Sequence, residues 1–340
     1  MTGTGLLVEG LTAGRGPFSL GPVGFAVAPG EATAVLGPSG AGKTTLLRTI
    51  AGFHPARSGS VSLDGRPLLG EGPEHRRFGF VPPGLGLFPH RTVAANVRYP
   101  LDLAGAPDAG AEAARWIDRF DLRPLAHRYP HELSGGERQR VAMARTLAAR
   151  PRALLWDEPL SAVDLAARDR LLALLRERLR EEGIPLVLVT HDPPTALALA
   201  TRYLLLARGR VVREGPPPAI LAGPIDRFTA RFFGYANCLG PGELGRWPDP
   251  AAREGLLARA GPGGLAVPAA AIGWRPVPGG PARIAAIRWD PAGWTVLLAL
   301  GGGTLHATAP EPPPPVGTAV AITVDPSRAV PLGGEERGAP

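Results

Sequence analysis

Residues 37–44 of the chain read Gly37-Pro38-Ser39-Gly40-Ala41-Gly42-Lys43-Thr44. This stretch fits the phosphate-binding pattern G-x-x-x-x-G-K-S/T at every fixed position. The chain holds 37 lysine and arginine residues, and all of them except Lys43 are arginine. A narrow loop around a triphosphate has room for the thin stem of a lysine and little room for a planar guanidinium. The sequence therefore predicts a nucleoside triphosphate site.

The residues around this loop predict how it is held. Residues 32–36 read as an apolar strand that runs into the loop, and residues 44–51 read as a helix with apolar side chains on one face. At such a helix start, backbone N–H groups can cradle a β-phosphate, Lys43 can reach the β- and γ-phosphates, and the Thr44 hydroxyl can hold Mg²⁺. The predicted nucleotide contacts are Gly37, Pro38, Ser39, Gly40, Ala41, Gly42, Lys43, Thr44 and Thr45.

Two carboxylates follow a second apolar segment. Residues 153–156 read as a buried strand, and Asp157 and Glu158 come directly after it. Asp157 would bind Mg²⁺, directly or through water, whereas Glu158 would orient or deprotonate the attacking water. A carboxylate pair at the end of a strand is a weak signal alone, but it becomes a strong one beside the phosphate loop.

A third motif reads Leu133-Ser134-Gly135-Gly136-Glu137-Arg138-Gln139-Arg140. Ser134 can cap the N-terminus of a helix, and the two glycines leave that terminus open to an anion. An ordinary capped helix explains Ser134 and Glu137 but not the whole string. With this motif the chain resembles the ATP-binding cassette (ABC) ATPases, whose signature is LSGGQ-like, here with Glu137 in place of the glutamine.

The resemblance extends to further segments in the order that the family has them. Residues 160–164 are similar to the D-loop, which makes Asp164 a nucleotide-site residue, and residues 190–192 are similar to the switch-histidine segment, which makes His191 a γ-phosphate contact. Residues 87–90 are similar to the stretch after the Q-loop of bacterial importers. The resemblance implies the catalytic residues Lys43, Glu158 and His191 and the metal ligands Thr44 and Asp157.

Periodicity and composition predict the overall organisation. Strand-like and helix-like segments alternate over residues 1–235, which predicts an α/β fold with a mostly parallel sheet. Beyond residue 235, glycine and proline separate short runs of period-two character, which predicts a small antiparallel barrel of about five strands. The strands predicted for this barrel include 283–289, 294–300, 304–309 and 318–324.

The resemblance implies a P-loop NTPase of the ABC ATPase type, with a mostly parallel sheet and a helical subdomain, followed by a small all-β, OB-like barrel. We expect the ABC ATPase domain over residues 1–235, its helical subdomain over about 85–150, a TOBE-like regulatory barrel over 236–330 and a disordered tail over 331–340. In support of the barrel, Trp274-Arg275-Pro276 is similar to the Arg-Pro that opens TOBE modules.

The composition favours a soluble or membrane-peripheral protein of a reducing compartment. The 44% hydrophobic and 20% charged residues are ordinary for a globular protein. The apolar runs are too short to span a bilayer, the first residues do not read as a signal peptide, and Cys238 has no second cysteine with which to pair. The formal charge of +7 comes without a dense basic block or interleaved aromatic residues, which argues against nucleic-acid binding.

The resemblance also implies a function and partners. The chain would bind and hydrolyse ATP with Mg²⁺ in a head-to-tail homodimer, in which ATP on the Lys43 loop of one copy is clamped by Ser134, Gly135 and Gly136 of the other. Hydrolysis would drive two integral membrane permease subunits, served indirectly by a solute-binding protein, from the cytoplasmic face of the membrane. A soluble cassette that acts on ribosomes or DNA would carry tandem cassettes or coiled-coil insertions, and the sequence has neither.

Two departures from the family pattern affect these expectations. Pro83 falls at the position of the Q-loop glutamine, and the one glutamine of the chain, Gln139, lies in the signature motif. Because proline has neither a side-chain amide nor an N–H, an alternative function is a nucleotide-gated binding or regulatory subunit with weak hydrolysis. The position at which the family carries an adenine-stacking aromatic falls near Gly14 or Arg15, and neither residue is aromatic. Phe18 is the nearest ring, and the guanidinium of Arg15 could stack on the base instead. We therefore expect weaker base contact and loose nucleotide selectivity.

Overall fold

The chain divides into two compact units, Met1–Pro217 and Pro218–Pro340. The computed structural model describes residues 5–16, 18–223, 225–290 and 293–334. Within the described ranges, no helix combines the length and the apolar character that crossing a bilayer requires.

The division comes earlier in the chain than the domain boundary predicted at residue 235, so the segment from Pro218 to residue 235 groups with the second unit. The reason lies in the backbone of Ile225, whose N–H donates to Pro331 O (3.1 Å) and whose carbonyl accepts from Gly333 N (3.0 Å). The buried side chain of Ile225 packs with Leu332 in the same apolar cluster. These contacts attach the segment before residue 235 to the second unit.

In the first unit, the described strands are β1 (Leu6–Arg15), β2 (Phe18–Val27), β3 (Ala32–Leu36), β4 (Ala56–Leu63), β5 (Arg66–Pro67), β6 (Phe78–Val81), β7 (Ala153–Asp157), β8 (Leu186–Val189), β9 (Arg202–Ala207) and β10 (Arg210–Gly215). The helices are α1 (Lys43–Ala51), α2 (Val93–Leu103), α3 (Ala109–Arg119), α4 (Gly135–Ala148), α5 (Leu165–Glu182) and α6 (Pro193–Leu199).

A mostly parallel sheet with strand order β10–β9–β3–β8–β7–β6 forms the centre of the first unit. Strand β10 pairs antiparallel with β9 at one edge, and the other neighbours are parallel. Every residue of β3, β7 and β8 is buried, as expected for continuous apolar runs in a sheet covered on both faces. The predicted α/β fold is confirmed. Since the parallel strands end at one edge, the segments that follow β3, β7 and β8 lie together there.

A second, antiparallel sheet of order β2–β1–β4–β5 is attached to this centre by a glycine turn. Gly21 N donates to Gly209 O (2.6 Å), and Gly209 N donates to Ala41 O (3.0 Å) in the predicted phosphate loop. Gly209 has a φ of 76°, and a Cβ at this position would lie 2.1 Å from Ser19 O. Only glycine fits such a turn without displacing β2. The start of β2, at Phe18, is thereby held beside the phosphate loop.

Helix α4 begins at the signature motif with a reciprocal cap. The Ser134 hydroxyl accepts from Glu137 N (3.3 Å), and the Glu137 carboxylate accepts from Ser134 N (2.7 Å). This capping box satisfies two of the N–H groups that a helix start leaves without partners. The predicted N-cap role of Ser134 is confirmed.

In the second unit, the described strands are β11 (Asn237–Leu239), β12 (Gly264–Val267), β13 (Ile272–Pro276), β14 (Ala282–Asp290), β15 (Gly293–Leu300), β16 (Gly303–Ala309), β17 (Ala319–Val324) and β18 (Val330–Leu332). The helices are α7 (Pro217–Leu221), which begins at the division, α8 (Arg227–Phe232), α9 (Pro241–Leu244) and α10 (Pro250–Arg259).

The second unit contains an antiparallel sheet of order β13–β17–β14–β15–β16. The indole Nε1 of Trp274 on β13 donates to Thr308 O on β16 (3.2 Å), so the two edge strands of this sheet are linked directly. Its inward residues, such as Ile284, Val296 and Val320, are fully or almost fully buried. Alternating burial and closure of the edges agree with the predicted small, OB-like barrel.

Part of the predicted disordered tail is a strand. In β18, Pro331 pairs with Leu265 of β12, and the side chain of Leu332 is fully buried. Burying this apolar side chain offsets the entropy of ordering the segment. Residues 335–340 of the predicted tail lie outside the described residues.

Candidate functional site

A cleft of about 520 Å³ lies where β3, β7 and β8 end. The phosphate loop, the start of α1 and the carboxylates after β7 border it. Its lining residues are Phe18, Ser39, Gly40, Gly42, Lys43, Thr44, Thr45, Pro83, Asp157, Glu158 and Val189. The phosphate loop, the segment of Pro83 and the two carboxylates, which are far apart in the sequence, therefore lie at one place.

The phosphate loop is shaped by the lysine and the glycines that the pattern requires. Lys43 Nζ donates to Gly37 O (2.8 Å) and to Pro38 O (2.9 Å), so its stem crosses the loop. Gly40 and Gly42 have φ values of 78° and 102°, in the left-handed region that favours glycine. Burial lowers the pKa of the Lys43 ammonium, while the charges of two nearby carboxylates oppose that shift. The loop presents a cation and a helix start to the cleft, which suits a polyphosphate.

Thr44 and Asp157 form the candidate metal site. The Thr44 hydroxyl donates to Asp157 Oδ2 (2.6 Å), and only 2% of the Asp157 surface is exposed. Burial raises the pKa of the Asp157 carboxyl, and the bond from Thr44 and the charge of Lys43 oppose the rise. A hydroxyl and a carboxylate are hard oxygen donors of the kind that Mg²⁺ takes. The two side chains therefore fit this ion, whose charge would favour the ionised carboxylate.

Glu158 and His191 form a polar pair at the edge of the cleft. His191 Nδ1 lies 2.8 Å from Glu158 Oε1, within hydrogen-bond distance, and 74% of the histidine side chain is exposed. The other carboxylate oxygen, Glu158 Oε2, is buried without a hydrogen-bond partner in the described part of the chain. Because a buried polar atom without a partner is costly, this oxygen is poised to accept a hydrogen bond from a water or a substrate in the cleft. Glu158 has the chemistry of a general base.

Pro83, which falls at the position of the Q-loop glutamine, lines the cleft. The loop that contains it is held from α4, because Arg145 donates to Leu85 O (3.1 Å) and Gly86 O (2.8 Å). Leu85 has a φ of 61°, a conformation that a branched residue adopts only when its surroundings impose it. The arginine thus supplies an anchor to this loop that the sequence analysis did not identify.

The base contact expected from the sequence involves Phe18, Gly14 and Arg15. Phe18 contacts the phosphate loop closely, since a Cβ on Gly42 would lie 2.7 Å from Phe18 Cζ. At Gly14, one of the two positions expected for a stacking aromatic, a Cβ would lie 2.3 Å from the guanidinium carbon of Arg57. That guanidinium therefore occupies the space of the absent side chain. The Arg15 side chain is not among the side chains that the structure describes, so the expected stacking by its guanidinium stays a prediction.

The signature residues and Asp164 do not line this cleft within the described part of the chain. Gly136 instead packs against the D-loop segment, where a Cβ would lie 2.6 Å from Ala162 O. Asp164 caps α5 by accepting from Ala167 N (2.9 Å). One copy of the chain therefore brings together the phosphate loop, the two carboxylates and His191. The other predicted site residues do not line the cleft: Ser134, Gly135, Gly136 and Asp164.

The sequence of the chain is similar to those of known ABC transporter proteins. Residues 20–161 match a family model described as ABC transporter. The chain is 43% identical over 219 residues to the spermidine/putrescine import ATP-binding protein PotA of Nitrosomonas europaea, covering 64% of this chain and 61% of PotA. It is 43% identical over 235 residues to the Fe(3+) ions import ATP-binding protein FbpC of Streptomyces coelicolor, covering 68% of each. The chain thus matches about three fifths of the length of PotA.

Solved structures give the same result for the fold. A dimeric, post-hydrolysis structure of the ATP-binding cassette MJ0796 bound to ADP and Pi aligns with a TM-score of 0.57 and 30% identity, covering 62% of this chain and 98% of the cassette. An ATP-binding subunit of an ABC transporter aligns with a TM-score of 0.59 and 29% identity, covering 64% and 92%. The chain therefore belongs to the ABC transporter family and carries the ATPase cassette fold of that family.

Proposed function

We propose that the chain is the ATP-binding and ATP-hydrolysing subunit of an ABC import system. The observation that carries the proposal is the cleft in which Lys43, Asp157 and Glu158 converge, with the Glu158 carboxylate held by His191. The similarity to PotA and FbpC, whose names describe import ATP-binding proteins, supports the import direction. The steady-state rate of ATP hydrolysis by the full chain and by its Glu158→Gln variant tests the proposal.

Each residue has a distinct part in the proposed reaction. The loop N–H groups and Lys43 bind the β- and γ-phosphates, and the buried pair of Thr44 and Asp157 would hold Mg²⁺, which offsets phosphate charge when bound. Glu158 accepts a hydrogen bond from the attacking water through a carboxylate oxygen that has no partner of its own. His191 holds the other oxygen of this carboxylate and lies open to the γ-phosphate. Positioning and charge compensation together supply most of the catalysis in phosphoryl transfer.

We also propose that two copies are needed for a complete site. Ser134, Gly135 and Gly136 lie at the start of α4, where Ser134 is exposed, the two glycines are half-buried and the helix dipole favours an anion. None of the described residues of this motif reaches the cleft of its own chain. In a head-to-tail homodimer, this helix start and Asp164 would face the nucleotide on the other copy, so that ATP closes the pair and hydrolysis opens it.

Substituting Gly136→Ala is expected to impair closure of the dimer. The new Cβ would lie 2.6 Å from Ala162 O and 3.1 Å from Val163 Cα, so the D-loop backbone must move. We expect ATP-dependent dimerisation, measured by analytical ultracentrifugation in a Glu158→Gln background, to weaken about tenfold or more. Gly110→Ala in α3, where a Cβ meets nothing within 4 Å, is the matched control and should dimerise normally. Equal dimerisation of both variants would contradict the prediction.

The alternative function, a nucleotide-gated subunit with weak hydrolysis, rests on Pro83. This residue lines the cleft but offers neither an amide side chain nor an N–H to a water or a metal ion. The pair of Glu158 and His191 and the oxygen donors Thr44 and Asp157 are nevertheless complete without it. We therefore favour hydrolysis as the function.

The substitution Pro83→Gln separates the two functions. If hydrolysis relies on Glu158 and its neighbours, we expect kcat to change by less than about threefold, because the new amide adds a redundant contact. The alternative, a nucleotide-gated subunit with weak hydrolysis, predicts a wild-type kcat near that of Glu158→Gln. It also predicts that Pro83→Gln raises kcat about tenfold or more. Pro82→Gln, one residue earlier and outside the cleft lining, is the control. Steady-state phosphate release by the full chain measures all three proteins.

A second, smaller groove is the proposed docking site of the permease. It has a volume of about 280 Å³ and is lined by Phe78, Gly79, Phe80, Gly86, Phe88, Tyr99, Pro100, Arg145, Thr146 and Ala149. Asn96 shapes one wall by donating to Phe88 O (3.1 Å) and accepting from Phe88 N (2.9 Å). We propose that a segment of each permease subunit inserts here and holds the chain at the cytoplasmic face of the membrane, with a solute-binding protein as an indirect partner.

We further propose the domain assignment that the family suggests. By the family pattern, residues 1–235 would form the ABC ATPase domain, although the part from Pro218 groups by its contacts with the second compact unit. The helical subdomain would lie over about 85–150, and residues 236–330 would form a TOBE-like regulatory barrel. The antiparallel sheet of β13 to β17 and the Trp274 bond across its edges support the barrel assignment. The position of Trp274 in this closure also agrees with the similarity of Trp274-Arg275-Pro276 to the opening of TOBE modules.

A further inference from the structure

The one glutamine of the chain connects the signature helix to the turn that carries the catalytic carboxylate. Gln139 sits in α4, and only 5% of its surface is exposed. Its Nε2 donates to Glu158 O (3.2 Å) and to Ser161 Oγ (2.9 Å), and its Oε1 accepts from Ala162 N (2.9 Å). A single amide side chain thus binds the turn that carries Glu158 and the start of the D-loop.

The turn at Glu158 requires such a contact. Glu158 has a φ of 55°, in the left-handed region where a residue with a side chain is strained and persists only when its surroundings hold it. On one side, Glu158 N donates to Val189 O of β8 (2.9 Å). On the other side, the Glu158 carbonyl accepts from Gln139 Nε2 and from the Ser161 hydroxyl (3.3 Å). The backbone of the strained residue is therefore held by β8 at its N–H and by Gln139 and Ser161 at its carbonyl.

We propose that Gln139 is a positioning residue for Glu158, and the inference rests on the proposed hydrolytic function. By holding the Glu158 carbonyl and the Ala162 amide, Gln139 sets the direction in which the Glu158 carboxylate projects into the cleft. The turn is thus fixed from α4, whose own N-terminus carries Ser134, and not from the loop of Pro83, which has no side-chain donor. Small errors in the position of a catalytic group cost rate steeply.

An amide is needed at position 139 because the side chain donates two hydrogen bonds through Nε2 and accepts one through Oε1. Gln139→Met keeps the approximate volume and removes all three hydrogen bonds. Gln139→Glu keeps the acceptor for Ala162 N but replaces the donor to Glu158 O with a second oxygen, so the turn is repelled where it was held. Ser161→Ala removes one partner and leaves the two backbone contacts of Gln139 in place.

The experiment compares these variants of the full chain in steady-state ATP hydrolysis, with KM and kcat measured separately. We expect Gln139→Met and Gln139→Glu to lower kcat about 10- to 100-fold with KM for ATP changed less than about threefold. The kcat of Ser161→Ala should lie between the values of these two variants and that of the wild type. The control is Met143→Leu on the same helix, a volume-conserving change of a buried side chain that lines neither the cleft nor the proposed docking groove, and its kcat should equal that of the wild type.

A second measurement does not depend on turnover. Hydrogen exchange of the Ala162 amide, followed by NMR without nucleotide, should speed up in Gln139→Met and remain slow in Gln139→Glu, which keeps the acceptor. An unchanged kcat in folded Gln139→Met, or an unchanged Ala162 exchange rate in that variant, would overturn the inference. If Gln139→Met does not fold, an unchanged kcat in Gln139→Glu overturns it equally. A wild-type rate no higher than that of Glu158→Gln would instead refute the proposed hydrolysis, while the exchange rates would still decide whether Gln139 holds the turn.

Discussion

Glu158→Gln is expected to lower the kcat of ATP hydrolysis about 10³-fold while ATP still binds. The amide cannot take a proton from the attacking water, and general base catalysis contributes about 10²- to 10⁴-fold in enzymes. Nucleotide binding should persist because the phosphate loop and the oxygen donors Thr44 and Asp157 are untouched. His191 Nδ1 lies 2.8 Å from the Glu158 carboxylate and can retain a hydrogen bond to the amide oxygen.

The same variant should accumulate a dimer with bound ATP. Since closure requires ATP and opening requires hydrolysis in the proposed cycle, removing the chemical step leaves the closed state as the end point. Phosphate release measures the rate, and analytical ultracentrifugation with and without ATP measures the dimer. Glu182→Gln, at the exposed C-terminal end of α5, is the matched control and should behave as the wild type. Turnover within a few-fold of the wild type in Glu158→Gln would refute the assignment of Glu158 as the base.

Lys43→Arg is expected to weaken ATP binding about 100-fold, although the charge is kept. Lys43 Nζ fits between Gly37 O (2.8 Å) and Pro38 O (2.9 Å), which a planar guanidinium with a wider head cannot do without opening the loop. Hydrogen bonds to a charged group contribute about 1.5–3 kcal/mol each, so losing the fit to these two carbonyls is enough for a factor of about 100.

The binding constant is best measured by isothermal titration with ATP and Mg²⁺ in the Glu158→Gln background, where turnover does not consume the ligand. Arg98→Lys is the reciprocal control, because Arg98 pairs with Asp102 on the exposed face of α2. Its affinity for ATP should match that of the parent. If Lys43→Arg bound ATP as tightly as the parent, the steric explanation for the one lysine of the chain would be wrong.

The sequence predicted the fold class and the elements that carry the phosphate loop. The predictions from the sequence were most detailed where a motif consists of residues close together in the chain. Examples are the loop from Gly37 to Thr44 and the cap formed by Ser134 and Glu137. In these places the backbone conformation follows from glycines and from short-range hydrogen bonds, which a local pattern can specify. The alternation of strands and helices predicted a mostly parallel sheet, and the strand order β3–β8–β7 within that sheet brings Asp157 and Glu158 to the loop.

Only the tertiary structure showed which distant side chains support these motifs. Gln139 contacts Glu158 and Ala162, Arg145 holds the loop of Pro83, and Arg57 fills the space beside Gly14. Each contact joins residues on different elements, and its existence depends on how those elements pack and not on any spacing along the chain. The same reason accounts for the strand at Leu332 in a segment predicted to be a tail, because its partner β12 lies far away in sequence. Local patterns specify local backbone, whereas packing chooses the partners of a buried polar or apolar side chain.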